Sequence, residues 1–473
     1  METAMTLRAA EPPSSADAAV AMEKVLVDVI ARNDKSVVAI ARVRKEAAGE
    51  TLQPEFRPDP FGRRPTPLSP PQPNDPDFIP NEYGAGVVVD RAGLILTAYQ
   101  LLGDESDYYV TTADHKIYKA TVKGADPRSD LAVLSIEATD LTPITLGNAA
   151  ELKKGQIVIS LGNPHAIARD GQPSAAWGIV SNLGRKAPAT PGESDPSGRP
   201  TLHHYGTLIQ TDTKLGLGTG GGPLLNLKGE MVGLGVVLPA AGYEAAGGYA
   251  IPVDGTFRRA METLKQGREV EYGFLGVQPA NLRPQETLAG LHGMRVNQVV
   301  PGTPALRYGL KPGDIVTAVD NTPIYDADGL VLNVGKLPAE TVTRLSVLRG
   351  GAARTVEITL AKFAVRGKKI VTSPNPAWRG LRVEYPTAVV DEESRAGGGM
   401  SFVDDAVIAV EVAEGSPAWA AGLRRGMLIM QVDGAAVRTP KQFAAAVGRN
   451  RGPVKLRMAG DEKTPTRTVP PGG

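Results

Sequence analysis

Acyl transfer at a protein site needs a nucleophile, a base within hydrogen-bond reach of it, and a carboxylate that orients the base. This chain has no cysteine, which removes thiolate nucleophiles, zinc–thiolate sites and disulfides together. Its five histidines are His115, His165, His203, His204 and His292. His203 and His204 precede the β-branched run Thr207–Thr211 and read as a surface or loop pair, with no nearby carboxylate or cysteine to complete a metal site. The most unusual run is Gly218-Thr219-Gly220-Gly221-Gly222-Pro223-Leu224-Leu225. Five of the eight residues from Gly216 to Pro223 are glycine, which raises backbone entropy and weakens any preformed cradle of N–H donors. Glycine has no side chain with which to attack a carbonyl.

The elements that would hold such a loop are β-strands. At 473 residues the chain is too long for one core, and about three domains are expected. Gly and Pro are abundant (54 and 39) while aromatics are 5%, which suits β-rich domains joined by turns. The net charge is +1, with 52 basic and 51 acidic residues interspersed, so nucleic acid is not an expected partner. No apolar run is long enough for a transmembrane helix. Met1 to Ser15 lack an apolar signal core, which leaves a cytoplasmic protein or a trimmed or mis-started leader open.

Along the chain, Ser15 to Asn33 reads as an amphipathic helix capped by Ser14 or Ser15, with Val20, Val25, Leu26, Val29 and Ile30 on one stripe. Ser36 to Arg44 has strand character. Ten prolines between Pro54 and Pro80 cannot join a sheet interior and predict a long loop. Short strands follow, among them Ala85–Asp90, Leu94–Ala98, Tyr108–Thr112, Leu131–Ile136, Gln156–Leu161, Gly178–Leu183, Glu230–Val237 and Gly248–Ile251. Their number and Gly-rich turns imply barrels or sandwiches. A helix is expected over Gly255–Gly267. Then a unit occurs twice: Val299-Val300-Pro301-Gly302-Thr303-Pro304-Ala305 with Gly309 to Asn321, and Val412-Ala413-Glu414-Gly415-Ser416-Pro417-Ala418 with Gly422 to Gly434. The matched spacing, about 100 residues apart, means two homologous small domains.

These repeats resemble PDZ domains, which take an extended peptide as an added strand and hold its terminal carboxylate with a loop of backbone N–H groups. In the first, the matching stretch is Tyr272-Gly273-Phe274-Leu275-Gly276-Val277, with the strand Phe274–Val277 leaving an edge open. A helix near Asp326–Leu337 would form the other wall, and Leu275, Leu330 and Val334 an apolar pocket. In the second, Gly380-Leu381-Arg382-Val383 is the equivalent strand, with Arg382 placed where the first has Gly276, and an acidic, glycine-rich insertion follows at Asp391–Met400. Weak peptide binding and interdomain packing both stay open for it.

The stretch Ser36–Val253 resembles the protease domain of the HtrA (DegP-like) family, whose architecture is protease–PDZ–PDZ. The marks are Gly84-Ala85-Gly86-Val87-Val88-Val89-Asp90, Leu94-Ile95-Leu96-Thr97, Asp126-Pro127-Arg128-Ser129-Asp130-Leu131-Ala132-Val133-Leu134, Leu161-Gly162-Asn163-Pro164, Ile209-Gln210-Thr211-Asp212 and Gly248-Tyr249-Ala250-Ile251-Pro252. The resemblance places the family's acid on Asp130, its histidine on Gln100 and its serine on Gly220, within an oxyanion loop Gly218-Thr219-Gly220. A glutamine amide neither takes nor returns a proton near neutral pH, so two of the three catalytic groups are replaced.

The resemblance implies a mainly β chain: a two-barrel trypsin-like (chymotrypsin-fold) domain followed by two α/β PDZ domains. The expected boundaries are an N-terminal segment 1–35, a protease-homologue domain 36–254 with a long loop 45–82, a linker helix 255–270, and PDZ domains 271–365 and 377–468. It implies a catalytically inactive homologue that binds apolar C-termini or unfolded segments through Gly273, Phe274, Leu275, Gly276, Val277, Leu330 and Val334, as chaperone, adaptor or regulator. The alternative is an active serine-type endopeptidase with a non-standard constellation. No cofactor or metal is expected. A homotrimer, a mixed oligomer with active relatives, and a periplasmic or otherwise extracytoplasmic location are implied by the resemblance, with a cytoplasmic location left open.

Overall fold

The computed structural model describes residues 15–45, 82–163, 171–189, 199–213, 215–216, 218–238, 247–389, 405–448, 450–460 and 465–471. The proline-rich stretch, Ser14, His165 and the insertion Asp391–Met400 lie outside the described residues. The chain divides into two compact units: Gly124–Ser129, Lys186–Thr207 and everything from Glu262 belong to the second, and the rest to the first.

The first unit opens with the helix Ser15–Asn33. Val29 and Asn33 are its buried positions, and the Asn33 side-chain amide donates back to the Val29 carbonyl at 2.8 Å. Val20 and Val25, expected on the same apolar stripe, face solvent. The helix packs by one edge near its C-terminal end, so its N-terminal valines have no surface to cover.

Six strands then form a barrel: β1 (Val37–Arg44), β2 (Glu82–Val88), β3 (Leu94–Ala98), β4 (Ser106–Thr111), β5 (Ile117–Asp126) and β6 (Leu131–Ser135). They run in the order β5-β4-β1-β2-β3-β6, and a β5–β6 pairing closes the circle. A second closed barrel runs β10-β11-β12-β9-β8-β7, from β7 (Ile157–Gly162), β8 (Ser174–Arg185), β9 (Leu208–Thr211), β10 (Pro223–Leu225), β11 (Met231–Val236) and β12 (Gly248–Pro252). Val38, Ile40, Val88, Ile95 and Leu134 fill the first core, and Val158, Val180, Ile209, Leu224 and Val232 the second. Each such side chain contributes about 1.5–3 kcal/mol when fully buried. The longest strand absent from the sequence reading is β5; its exposed side begins with the apolar Ile117 while Tyr118 and Val122 pack inward, and this hides the alternation.

The second unit holds both PDZ repeats, with short strands around one groove helix each. The first has β13 (Gly273–Phe274), β14 (Val277–Asn281), β15 (Met294–Val299), β16 (Ile315–Val319), β17 (Thr322–Pro323), β18 (Val342–Arg349), β19 (Ala352–Thr359) and β20 (Ala361–Lys362). Its groove helix is Ala327–Gly335, capped by the Asp326 side chain accepting from the Gly329 N–H. After β21 (Ile370–Val371), the second repeat has β22 (Leu381–Glu384), β23 (Val407–Val412), β24 (Leu428–Val432), β25 (Ala435–Ala436), β26 (Val454–Met458) and β27 (Thr466–Val469). Its groove helix is Pro440–Val447, capped by Thr439. Sheet orders β14-β15-β16-β18-β19 and β22-β23-β24-β26-β27 repeat the same topology.

A nearly buried lysine joins the repeats. Lys362, 4% exposed, donates to Glu269 at 3.0 Å and to Glu384 at 2.6 Å, with Glu271 at 3.7 Å. The Thr387 hydroxyl donates to the Lys362 carbonyl at 2.8 Å.

His203 and His204 are buried in a short turn, Leu202–Tyr205, rather than lying on the surface. His203 Nδ1 shares a hydrogen bond with the Thr207 hydroxyl at 2.9 Å, and His204 Nδ1 with that of Thr201 at 2.9 Å. Burial, and after it the neighbouring His204, push the His203 imidazole down to about 3, so it is neutral. Among the described residues no helix is long and apolar enough to cross a membrane.

Candidate functional site

The short turn Tyr99–Leu101 follows β3 and presents Gln100 at the surface. Asp130 precedes β6, is 1% exposed, and adopts φ +57°, a left-handed conformation that an aspartate tolerates better than most residues. The two segments are tied together. The Tyr99 N–H donates to the Asp130 carbonyl at 3.0 Å, and the Gln100 N–H to Asp130 Oδ1 at 3.3 Å. Gln100 Nε2 donates to Asp130 Oδ2 at 2.9 Å. These donors offset the cost of burying a carboxylate. The amide thereby imitates an imidazole N–H bound to the same acid. Its other polar atom is an amide oxygen, which accepts hydrogen bonds and takes no proton near neutral pH.

The glycine loop is anchored on both sides. The Ala85 N–H donates to the Gly220 carbonyl at 2.9 Å, and the Asn163 N–H to that of Gly218 at 3.0 Å. The Gly221 and Gly222 N–H groups donate to Gly235 and Thr219 at 2.8 and 3.0 Å. Backbone bonds thus restrain the loop that its composition alone would make loose. Among the described residues, the N–H groups of Gly218 and Gly220 have no acceptor. The Thr219 hydroxyl donates to Gly216, and the Thr97 hydroxyl, which borders the loop, to Ala85, each at 2.8 Å. Neither is poised as a nucleophile. A Cβ placed on Gly220 would meet only Val237, at 3.1 Å from its methyl carbon, so a small side chain fits there with a slight shift.

In the first PDZ repeat, Leu275, Leu330 and Val334 share one buried cluster, so the structure brings the three expected apolar residues together. The edge strand differs from expectation. Phe274 pairs with Ala361 in a separate two-stranded sheet, and the chain breaks at Gly276 (φ +88°), where a Cβ would lie 2.2 Å from Thr303. The open-edge strand is therefore β14, beginning at Val277.

Gly276 also sets the register between repeats. Gly380 has φ +84°, and a Cβ on it would lie 2.2 Å from Ser416, the counterpart of Thr303. Val300 donates to the Gly276 carbonyl as Ala413 does to that of Gly380, at 2.9 and 2.8 Å. Gly380, and not Arg382, thus matches Gly276. It follows that Arg379 stands where the first repeat has Leu275, Trp378 where it has Phe274, and Leu381 where it has Val277. The sequence signal was available in the Thr303 and Ser416 positions, which align once the repeats are superposed on them.

The second repeat uses this loop on itself. The Leu381 N–H donates to the Trp378 carbonyl and the Trp378 N–H to the Leu381 carbonyl, both at 2.8 Å. The Trp378 ring meets Phe443 edge-on, with centroids 5.8 Å apart. The Arg379 guanidinium lies over that indole at 4.7 Å and donates to the carbonyls of Val469, Pro470, Asn450 and Gly452 at 2.8–3.3 Å.

Comparison with known proteins gives three matched families: a trypsin-like peptidase domain over residues 84–234, and PDZ domains over 273–360 and 408–459. A protein of Pseudomonas fluorescens named probable periplasmic serine endoprotease DegP-like is 32% identical over 391 residues, 79% of this chain and 76% of that one. The putative serine protease HhoA of Synechocystis sp. is 32% identical over 295 residues, 59% of this chain and 71% of its own. The solved structure of the HtrA-type protease AlgW with tripeptide superposes with a TM-score of 0.52 at 23% identity, covering 71% of this chain and 96% of that one. That last likeness concerns the fold.

Proposed function

The chain belongs to the HtrA (DegP-like) family, and from that premise we propose that it is a member that has given up hydrolysis and kept peptide binding. It would bind free C-termini or unfolded segments of proteins through its first PDZ repeat and serve as chaperone, adaptor or regulator. The observation that carries this reading is the pair at the triad-equivalent positions. An amide that donates to Asp130 at 2.9 Å stands in place of the base, and Gly220 offers no nucleophile. Loss of either group costs on the order of 10⁶-fold in turnover in a serine protease.

Binding is supported by the retained first repeat, where Leu275, Leu330 and Val334 cluster beneath the Gly276 loop. The neighbouring solved structure was determined with a tripeptide, which fits the same role. The names of the curated relatives favour a periplasmic setting, and also a second reading: an endoprotease in protein quality control using other groups.

One experiment separates the two. Purified full-length protein is incubated with an unfolded casein-type substrate and with a fluorophosphonate probe. No cleavage and no labelling are expected; stoichiometric labelling of any residue sinks the inactive reading. The variant Gln100→His with Gly220→Ser sharpens it. The Gly220 site accepts the added atoms with little movement, so the variant is expected to fold, and labelling only in the variant would trace the loss to these two positions.

A further inference from the structure

The geometry points to a short-reach reader: the first PDZ repeat recognises the last three residues of a free C-terminus, because Pro279 withholds the donor that a longer added strand needs. This rests on the reading that the first groove takes C-termini.

The direction of each backbone group in β14 follows from its partners. The Gly276 carbonyl accepts from Val300 on the β15 side. Successive residues of a strand alternate their N–H and C=O between its two edges, so Val277 points to the open edge. Val296, opposite Pro279, spends its N–H on Asp314 and its C=O on Gly313, both at 2.8 Å on the β16 side. The Pro279–Val296 pair is thus not hydrogen-bonded, and Pro279 also points to the open edge, where a strand proline is tolerated. The irregularity between Gln278 and Pro279 is absorbed by β15, so the alternation on β14 holds.

A peptide entering as an antiparallel strand meets Val277 first. Its terminal carboxylate takes the Val277 N–H, and its last N–H donates to the Val277 carbonyl. Two residues earlier it meets Pro279, whose carbonyl accepts one N–H but which has no N–H to return. The carbonyl of that third-from-last residue is left to water. At the next open-edge position, Asn281 Oδ1 accepts from the Ala327 N–H at 2.8 Å, fastening the end of β14 to the start of the groove helix. Asn281 is also the last residue of β14, so beyond the incomplete rung at Pro279 the edge offers residues further upstream at most one more.

The test is a titration of the full-length protein with peptides of two, three, six and ten residues that have free N-termini and share one apolar C-terminal sequence, each also as its C-terminal amide. The expected result is a gain from two to three residues and affinities within about 3-fold from three to ten. Pro279→Ala restores the donor at an edge position. It is expected to raise affinity by about 2–10-fold, the worth of one hydrogen bond, for peptides of three residues or more and to leave the dipeptide unchanged. Affinity that climbs steadily to ten residues in the wild type overturns the proposal, as does an equal gain for the dipeptide in Pro279→Ala. Equal binding of free and amidated peptides overturns the C-terminus reading beneath it, and the proposal with it.

Discussion

In the first PDZ repeat the rung at Val277 faces an edge to which no strand among the described residues is paired; in the second, both backbone groups of the matching Leu381 are engaged by Trp378. The side chains behind the two rungs are alike in kind. Leu330 and Val334 line the first helix four and eight residues past its cap, and Phe443 and Val447 do so in the second. An apolar helix face therefore does not distinguish the two repeats. Strand addition is a backbone event, and what distinguishes the repeats is whether the backbone groups are already paired. The second rungs reverse the contrast: Pro279 has no N–H to offer, while Val383 has one.

The largest test of the comparison copies one repeat into the other. Leu275→Arg places a guanidinium in the buried cluster of the first repeat without the carbonyls that receive Arg379. The Leu337 carbonyl, which corresponds to that of Asn450, already accepts from Gly273 at 2.6 Å. An uncompensated buried charge costs several kcal/mol, so C-terminal peptide affinity is expected to fall at least about 100-fold. Unchanged affinity would show that Leu275 is no part of the site.

Lys362 tests whether docking of the repeats contributes to closing the second groove, since it holds Glu384 at the end of β22. Lys362→Met leaves three carboxylates around a neutral side chain and is expected to cost about 3–5 kcal/mol in urea unfolding. Peptide uptake by the second repeat in this variant would assign its occlusion to docking rather than to Trp378.

The same junction predicts a pH dependence. Burial pushes the Glu269 carboxyl up, but Lys362 and Lys369 outweigh it and hold it below the ordinary 4.5. Its contribution is present above 4.5 and is lost as pH falls through the lowered value. Burial disfavours the Lys362 ammonium, yet Glu384, Glu269 and Glu271 together hold it above 10.5, so its share is intact below that value and is lost as pH rises through the raised one. Burial raises Glu271 despite Lys362, so its term runs the other way, weakening the junction as pH climbs through its raised value. Amide exchange at Lys362 and Thr387 across these limits reads the three contributions, and Lys362→Met should flatten the alkaline loss.

The smallest effect is expected from Arg379→Leu. It restores the first repeat's residue but leaves the carbonyls of Val469, Pro470, Asn450 and Gly452 without their shared donor. A loss of about 1–3 kcal/mol in the second repeat is expected, with no gain in peptide binding, because Trp378 still occupies the rung. A second binding event in calorimetry would break the comparison.

Much of this molecule was legible as pattern. The barrel-or-sandwich class, the repeat and the helix Ser15–Asn33 followed from periodicity and spacing, which are local properties of the chain, whereas the two-barrel arrangement and the placing of Gln100 and Gly220 at the base and nucleophile positions followed from the family resemblance. The strand β5 did not, nor did the burial of His203 and His204, because those depend on which face the neighbouring elements cover. The two rungs lay furthest from view. Pro279 is plain in the sequence, but which strand edge it faces is set by the pairing of Val296 with β16. Trp378 is equally plain, but its closure onto Leu381 is a pairing of main-chain atoms that every residue carries alike. Side-chain identity records who the neighbours can be; the direction of a backbone hydrogen bond exists only once the strands are in register.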